Sequence, residues 1–243
     1  AQESRGLGDV YKRQDLAASH CLFDVHGPQA AALLPDLWPA TPPAPAQLQA
    51  ADTTLAGVPV TAASRKPASG IRWSLVVPNE GAAAVWETLV DAGLKPAGAL
   101  TYNTLRIRAG LPGVGRELSA DFLPLEVGLW DEVSFSKGCY TGQEIIARME
   151  SRGRLAKTLV RLELERMVAA PAPLLYQGRP VGQLTSSVQS PLGEVFALGV
   201  VRLTFAHPGQ QLTAGDEAVP ARVAALAGAQ PPYLRRPEDQ ANF

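Results

Sequence analysis

The stretch SKGCYTGQE, residues 136–144, carries the pattern on which the fold assignment depends. Thr141 and Glu144 have the spacing of a capping box, S/T-x-x-E, and the apolar pair at 145–146 follows them. We therefore predict a helix over residues 142–152 with Thr141 as its N-cap. This helix is the last one expected in a part of the chain that mixes helices and strands. Beyond it, the hydrophobic pattern becomes that of short strands alone.

One of two cysteines lies just ahead of this helix. Cys139 is placed at the positive end of the helix dipole, and Lys137 adds a nearby cation. Both features favour the thiolate, which is the reactive form of the side chain. Gly138 and Gly142 allow backbone or ligand to approach closely. Two interpretations stay open: an accessible, activated sulfur, or a small apolar residue buried in a tight turn.

The residues before this stretch alternate between strand and helix patterns. Strands are predicted over 22–25, 57–63 and 72–77, and helices over 29–37, 80–93 and 100–109. One face of the helix over 80–93 is apolar and is predicted to lie against the core. That face consists of Val85, Trp86, Leu89 and Val90.

A long loop over residues 111–135 precedes the motif. It has little periodicity, and an irregular stretch of this length inside a compact domain is usually functional or disordered. The functional interpretation is favoured because Glu126 lies in the apolar setting LPLEVGL. A carboxylate in apolar surroundings is costly unless it has a partner. Glu126 is therefore a candidate binding residue.

Beyond residue 153 the sequence takes on the pattern of short strands. TLVRLEL at 158–164 alternates with period two, and strand-like runs at 174–188 and 194–205 are separated by turn-forming residues. Closely spaced strands of this kind indicate a small barrel or sandwich. The predicted organisation is a non-native tail at 1–14, an α+β domain at 15–154, a β-barrel at 155–226 and a surface tail at 227–243.

Composition argues against several classes of function. The 243 residues include 22 Lys+Arg and 23 Asp+Glu, so the formal net charge of -1 gives no overall attraction to nucleic acid or an anionic membrane. No apolar run reaches the length of a membrane span. The two cysteines and three histidines form neither a metal-ligand pattern nor a disulfide framework, which indicates a cytoplasmic protein with reduced thiols.

Four segments together carry a family resemblance. They are LRIRAGLPGVGREL at 105–118, LPLEVGL at 123–129, KGCYTGQE at 137–144 and IIARMESRG at 145–153. These segments strongly resemble the YgfZ-type folate-binding proteins, relatives of the glycine-cleavage T protein and of mitochondrial iron-sulfur assembly factors. The match extends from about residue 18 to residue 226. It implies an α+β, T-protein-like folate-binding core followed by a small C-terminal antiparallel β-barrel.

The resemblance also implies a ligand and the residues that serve it. The ligand is tetrahydrofolate or another reduced folate, and Glu126 holds its pterin ring, whose adjacent N–H donors suit a carboxylate. Lys137 and Cys139 are the functionally implicated pair and the candidate catalytic residues. The remaining candidate folate-binding residues are Tyr140, Gly142, Gln143, Glu144 and Arg148.

Two functions are compatible with this resemblance. The first is an accessory role in iron-sulfur cluster assembly or repair, which indirectly supports tRNA modification. Its partners are iron-sulfur client or assembly proteins, and a monomer without direct nucleic-acid or membrane contact is expected. The alternative is a one-carbon transferase like the T protein, which moves an aminomethyl or methyl group onto tetrahydrofolate. Cys139 stands where T proteins typically have a bulky apolar residue, and this favours the accessory role.

The sequence departs from the family at its start. Family members begin with an additional segment of roughly a hundred residues, about half of the folate-binding core, and residues 15 onward correspond to a later part of that core. We therefore interpret the sequence as a truncated fragment. An exposed apolar face is expected where the missing segment would pack.

Overall fold

A computed structural model describes residues 2–6, 9–33, 37–38, 48–151, 153, 155–231 and 234. The chain divides into two compact units, the first formed mainly by residues 11–99 and the second mainly by residues 100–243. At the start of the chain, β1 (Gln2–Gly6) and β2 (Asp9–Arg13) pair as a two-stranded sheet, where the sequence indicated no regular structure. The non-native origin of this segment stays a prediction.

The first unit is built on a four-stranded antiparallel sheet. Its strands, in spatial order, are β3 (His20–Gly27), β6 (Ile71–Pro78), β5 (Val58–Ser64) and β4 (Ala50–Leu55). Alternate residues of each strand pack on one face with α1 (Ala30–Leu33) and α2 (Ala82–Asp91). The predicted strands correspond to β3, β5 and β6. The sequence missed β4 because, of its six residues, only Leu55 is buried.

The predicted helices of this unit are confirmed in part. Of the helix over 29–37, α1 covers four residues, and residues 34–36 lie outside the described part of the chain. In α2, Val85 and Leu89 are buried, but Trp86 is 44% exposed and Val90 is 38% exposed. The prediction that all four face the core is wrong, because a short helix on a sheet buries one narrow i, i+4 stripe. Trp86 instead contacts the ring of Phe23 in β3, and the centres of the two rings lie 5.6 Å apart.

The other face of this sheet carries a polar cluster. Oδ1 of Asp24 accepts a 2.5 Å hydrogen bond from Ser74 Oγ, and Oδ2 accepts one of 2.7 Å from Arg72 Nη2. Burial raises the pKa of Asp24, but the two hydrogen bonds and the charges of Arg72 and His26 outweigh it, so the pKa lies below its usual value. Burial and the charge of Arg72 lower the pKa of His26, which Asp24 offsets only partly.

The second unit contains a closed six-stranded antiparallel barrel, as predicted. Its strands are β7 (Lys157–Leu164), β8 (Ala172–Tyr176), β9 (Arg179–Gln189), β10 (Val195–Arg202), β11 (Gln211–Ala214) and β12 (Val219–Leu226). Around the barrel they follow the order β10, β7, β12, β11, β8, β9, and each neighbour is antiparallel. The sequence-derived class, an α+β core followed by a small C-terminal barrel, is confirmed.

Both faces of the barrel strands are apolar where other segments cover them. Val160 and Leu162 of β7 point inward to the barrel core. Leu159, the residue before Val160, points outward and packs with Ile107 of α3 (Ala99–Ala109) and with Val127. Because β7 is buried on both sides at this point, TLVRLEL carries apolar residues on both faces of the strand. It also places the segment around Glu126 on the outer surface of the barrel.

The loop over 111–135 is folded. It contains two 3-10 helices, Pro124–Val127 and Trp130–Glu132, and a bridge between Val114 and Leu118. The helix α4 (Gln143–Ser151) follows within one residue of the predicted bounds. Among the described residues, no helix combines the length and the apolar character that a membrane span requires.

Candidate functional site

Glu126 lies in the 3-10 helix Pro124–Val127, on a turn that its own side chain closes. The amide of Glu126 donates to the carbonyl of Leu123, and the amide of Leu123 donates back to Glu126 Oε2, both at 2.9 Å. Pro124 suits the first position of the turn because its φ is fixed and it has no N–H that needs a partner. The residue is 6% exposed, so its carboxylate is held in one orientation at the margin of the interior.

Lys157, the first residue of β7, places a positive charge beside this carboxylate. Its Nζ atom lies 3.5 Å from Glu126 Oε2 and donates to the carbonyl of Asp121 at 3.3 Å. It also lies 4.8 Å from the ring centre of Phe122. Both contacts of the carboxylate thus fall on Oε2. In the described part of the chain, Oε1 has no hydrogen-bond or ion-pair partner.

Two glycines fix the other end of this turn. Gly128 and Gly228 have φ values of 77° and 69°, a region that favours glycine. A Cβ atom on Gly128 would lie 2.6 Å from the carbonyl oxygen of Ala227, and one on Gly228 would lie 2.6 Å from that of Gly128. The amide of Ala229 donates to the Gly128 carbonyl at 2.7 Å. The chain after β12 therefore packs backbone to backbone against the turn that carries Glu126.

A buried ion pair joins α3 to the loop that follows it. Arg106 Nη1 lies 3.0 Å from Glu117 Oε2, and the two side chains are 6% and 0% exposed. Arg106 also donates from Nε to Asn103 Oδ1 at 3.1 Å and from Nη2 to Ser186 Oγ at 2.9 Å. The guanidinium therefore connects the helix, the loop and strand β9.

The carboxylate of Glu117 is equally well satisfied. Oε2 also accepts from the amide of Gly113 at 2.9 Å, and Oε1 accepts from Thr185 Oγ1 at 2.5 Å and Ser186 Oγ at 2.7 Å. This network holds the loop before Glu126 against the barrel. Sequence reasoning missed it, although the two charged residues lie within the apolar and glycine-rich segment LRIRAGLPGVGREL at 105–118.

The motif at 137–144 lies on the surface of the same unit. Cys139 is exposed, so its interpretation as a buried apolar residue is wrong, while its activation stays a prediction. Lys137 Nζ lies 5.1 Å from the ring centre of Tyr140, within range of a cation–π contact. Tyr140 packs on a core cluster that includes Leu125 and Ile146. This cluster brings the motif and the segment next to Glu126 into one packed region.

The predicted N-cap at Thr141 is wrong. Gly142 is the residue that precedes α4, with a φ of 85°, and its carbonyl accepts from the amides of Ile145 and Ile146 at 3.2 and 3.3 Å. Among the described residues, the hydroxyl of Thr141 makes no hydrogen bond to Glu144. The reason is the left-handed conformation of Gly142, which turns the chain between Thr141 and the helix so that the capping geometry is lost.

The remaining candidate residues lie on or next to α4. Gly142 and Gln143 are half-buried, and Glu144 and Arg148 are exposed. In the part of the chain that the structure describes, no hydrogen bond or ion pair joins the motif residues to Glu126. Their roles in folate binding therefore stay predictions. The described residues also contain no group of three or more His, Cys, Asp or Glu side chains that could hold a metal ion.

The sequence matches two families that together account for this fold. The GCVT N-terminal domain family matches residues 3–137, which is more than half of the chain. The glycine cleavage T-protein C-terminal barrel domain family matches residues 157–228. The chain therefore belongs to the glycine cleavage T-protein family. The resemblance implied a relative of the T protein, and a narrower YgfZ-type identity stays a prediction.

Particular relatives agree with this assignment. The chain is 30% identical over 229 residues to a putative chloroplastic transferase of Arabidopsis thaliana, covering 93% of this chain and 53% of the relative. It is 32% identical over 234 residues to an aminomethyltransferase of Thermosynechococcus vestitus, covering 94% and 62%. The chain thus spans between about half and three fifths of the length of these relatives.

A solved structure shares the fold. The crystal structure of glycine cleavage system aminomethyltransferase T from Bartonella henselae superposes with a TM-score of 0.68 at 22% sequence identity. The likeness covers 85% of this chain and 58% of that one. The T-protein-like fold class is thereby confirmed.

Proposed function

We propose that this protein binds tetrahydrofolate, or another reduced folate, through Glu126. The observation that carries the proposal is the state of its carboxylate. Oε2 is engaged by the Leu123 amide and by Lys157, whereas Oε1 has no partner among the described residues. An ionised carboxylate accepts hydrogen bonds at both oxygens, and a pterin offers adjacent N–H donors. The pterin therefore binds against Oε1.

The first role that we propose for the bound folate is an accessory one in iron-sulfur cluster assembly or repair, with an indirect effect on tRNA modification. The exposed thiol of Cys139 and the neighbouring ammonium of Lys137 support it, because both groups can reach another protein. An accessible thiolate can attack a disulfide or the outer sulfur of a persulfide on a partner, so that a new S–S bond forms while the partner's S–S bond breaks and its thiolate leaves. We propose that the protein does this as a cytoplasmic monomer with iron-sulfur client or assembly proteins as its partners.

The second role is folate-dependent one-carbon transfer. The names of the relatives favour it, since one is called a putative transferase and another an aminomethyltransferase. This role requires turnover of a donor substrate, which the accessory role does not. Glu126 would serve both roles in the same way, because each needs an oriented pterin.

The experiment is a calorimetric titration of tetrahydrofolate into the protein and into its Glu126→Gln variant. The proposal expects saturable binding by the first and at least tenfold weaker binding by the second, since an acceptor-only carboxylate becomes an amide. Equal affinities would show that Glu126 does not hold the pterin. The same comparison is made with a chain extended at its N-terminus by the corresponding segment of a relative.

A second measurement separates the two roles. Folate-dependent release of ammonia from an aminomethyl donor supports the transferase role if Cys139→Ser leaves its rate unchanged. Loss of activity of an iron-sulfur enzyme in cells that carry only Cys139→Ser, with folate binding intact, supports the accessory role. Glu126→Gln should abolish either activity.

A further inference from the structure

We infer that Lys157 is a positioning residue for Glu126: it holds one carboxylate oxygen so that the other faces the ligand. The inference rests on the proposed folate binding. Lys157 belongs to the barrel, lies 31 positions beyond Glu126 in the sequence, and falls outside the segments 105–118, 123–129 and 137–153.

Three contacts converge on the ammonium group of Lys157. It donates to the Asp121 carbonyl at 3.3 Å, lies 3.5 Å from Glu126 Oε2, and stands 4.8 Å from the centre of the Phe122 ring. An ammonium group has three N–H donors and no acceptor. It can therefore contact two oxygens and the face of an aromatic ring at the same time, each on a different side. The three partners belong to a single segment that ends in the turn of Glu126.

The strand fixes where this ammonium lies. Lys157 begins β7, and its register is set by pairing with Arg202 of β10. The next residues of β7 are fully buried, which leaves the backbone at this point little freedom. The closed barrel therefore serves as a rigid support from which Lys157 reaches the loop.

The division of contacts between the two carboxylate oxygens indicates positioning and not direct ligand binding. Oε2 takes both the Leu123 amide at 2.9 Å and the Lys157 ammonium at 3.5 Å. Without Lys157, one backbone amide alone would orient a side chain whose terminal torsion is broad. The carboxylate could then rotate away from the ligand, and its buried charge would lack a counter-charge.

The test is a titration of 5-formyltetrahydrofolate into the full chain and its variants. Lys157→Met should weaken binding about tenfold, the effect expected when a charged group loses a contact. Lys157→Arg, which keeps the charge, should recover most of the affinity. Lys95→Met, an exposed lysine of the first unit, is the matched control and should bind like the parent protein.

A double-mutant cycle separates positioning from direct contact. In the Glu126→Gln background, Lys157→Met should cause no further loss, because it acts only through the carboxylate. An equal further loss would mean that Lys157 touches the ligand itself, and the inference would be wrong. If Lys157→Met does not fold, as judged by near-UV circular dichroism, Lys157→Gln is measured by the same criteria.

The possible failures are distinguishable. Absence of binding by the parent protein, or full binding by Glu126→Gln, overturns the proposed function and this inference with it. Binding that depends on Glu126 but is unchanged in Lys157→Met overturns the positioning role alone.

Discussion

Arg106 and Glu117 form an ion pair from which solvent is excluded, with a separation of 3.0 Å and side chains 6% and 0% exposed. Both groups are charged, and each has further hydrogen-bond partners from the helix, the loop and strand β9. A buried pair of this kind contributes little net stability compared with an apolar pair. Removing one partner, however, leaves the other as an uncompensated buried charge.

We therefore expect Glu117→Gln to lower the free energy of unfolding by about 3 kcal/mol. The matched control is Glu163→Gln, which breaks the exposed pair of Glu163 with Arg222 on the barrel surface. That change should cost less than about 1 kcal/mol. Urea unfolding followed by circular dichroism measures both. Equal losses would mean that the interior pair behaves like a solvated one.

Gly128→Ala should destabilise the protein by about 2 to 3 kcal/mol, and under the role proposed for Glu126 it should also weaken folate binding. The new Cβ atom would lie 2.6 Å from the carbonyl oxygen of Ala227, and backbone cannot yield cheaply. Gly115→Ala is the control, since Gly115 has a similar φ of 72° but no atom within 4 Å of such a Cβ. It should cost only about 1 kcal/mol. A Gly128 variant no less stable than the Gly115 variant would contradict the close backbone contact.

At the start of α4, the conformation of Gly142 should matter and the hydroxyl of Thr141 should not. Gly142→Ala places a side chain at a φ of 85° and should cost about 1 kcal/mol. Thr141→Ala should change the unfolding free energy by less than about 0.5 kcal/mol, because no capping bond is lost. Urea unfolding of the two variants measures both losses in free energy. A larger loss for Thr141→Ala than for Gly142→Ala would mean that Thr141 is the N-cap after all.

The polar cluster on the first sheet should make stability depend on pH. The pKa of His26 is lowered from 6.5 and that of Asp24 from 3.8, so the folded state disfavours binding a proton at either site. Each contribution is present above the unfolded pKa and is lost as pH falls through the folded one. The unfolding free energy should therefore decline from about pH 6.5 downward and further in acid. His26→Gln should flatten the first decline, whereas the control His207→Gln should leave it in place.

The two thiols should differ in their reaction with an alkylating reagent. Cys139 is exposed, whereas Cys21 is half-buried with its sulfur 3.6 Å from the carbonyl oxygen of Val77. Iodoacetamide should therefore modify Cys139 first in the folded protein, as read by mass spectrometry of peptides, and equally with Cys21 in urea. Faster modification of Cys21 in the native state would contradict this arrangement. Cys139→Ser should leave stability unchanged.

The sequence predicted those elements whose cause is local. The barrel follows from period-two alternation, and α3 ends next to Gly110, whose φ of 76° only glycine readily adopts. The burial of Glu126 also followed from its apolar neighbours. In each case the sequence pattern that supports the prediction and the structural feature that it predicts lie within the same few residues.

The parts that were missed depend on contacts distant in sequence. Ser186, which bonds both members of the buried pair, lies 80 positions from Arg106. Lys157 meets Glu126 only because a barrel strand begins at that point. The exposure of Trp86 depends on how α2 is rotated over the sheet, which periodicity alone does not fix. None of these could be read from one segment.

The closed order of the barrel has a consequence for how the gene could be rearranged. Its first and last strands are direct neighbours, since Val160 of β7 pairs with Leu226 of β12. The chain therefore enters and leaves the barrel at almost the same place, the arrangement that tolerates circular permutation and transfer between proteins. A rearrangement that keeps the barrel whole would also carry Lys157, the residue that reaches Glu126 outside the barrel.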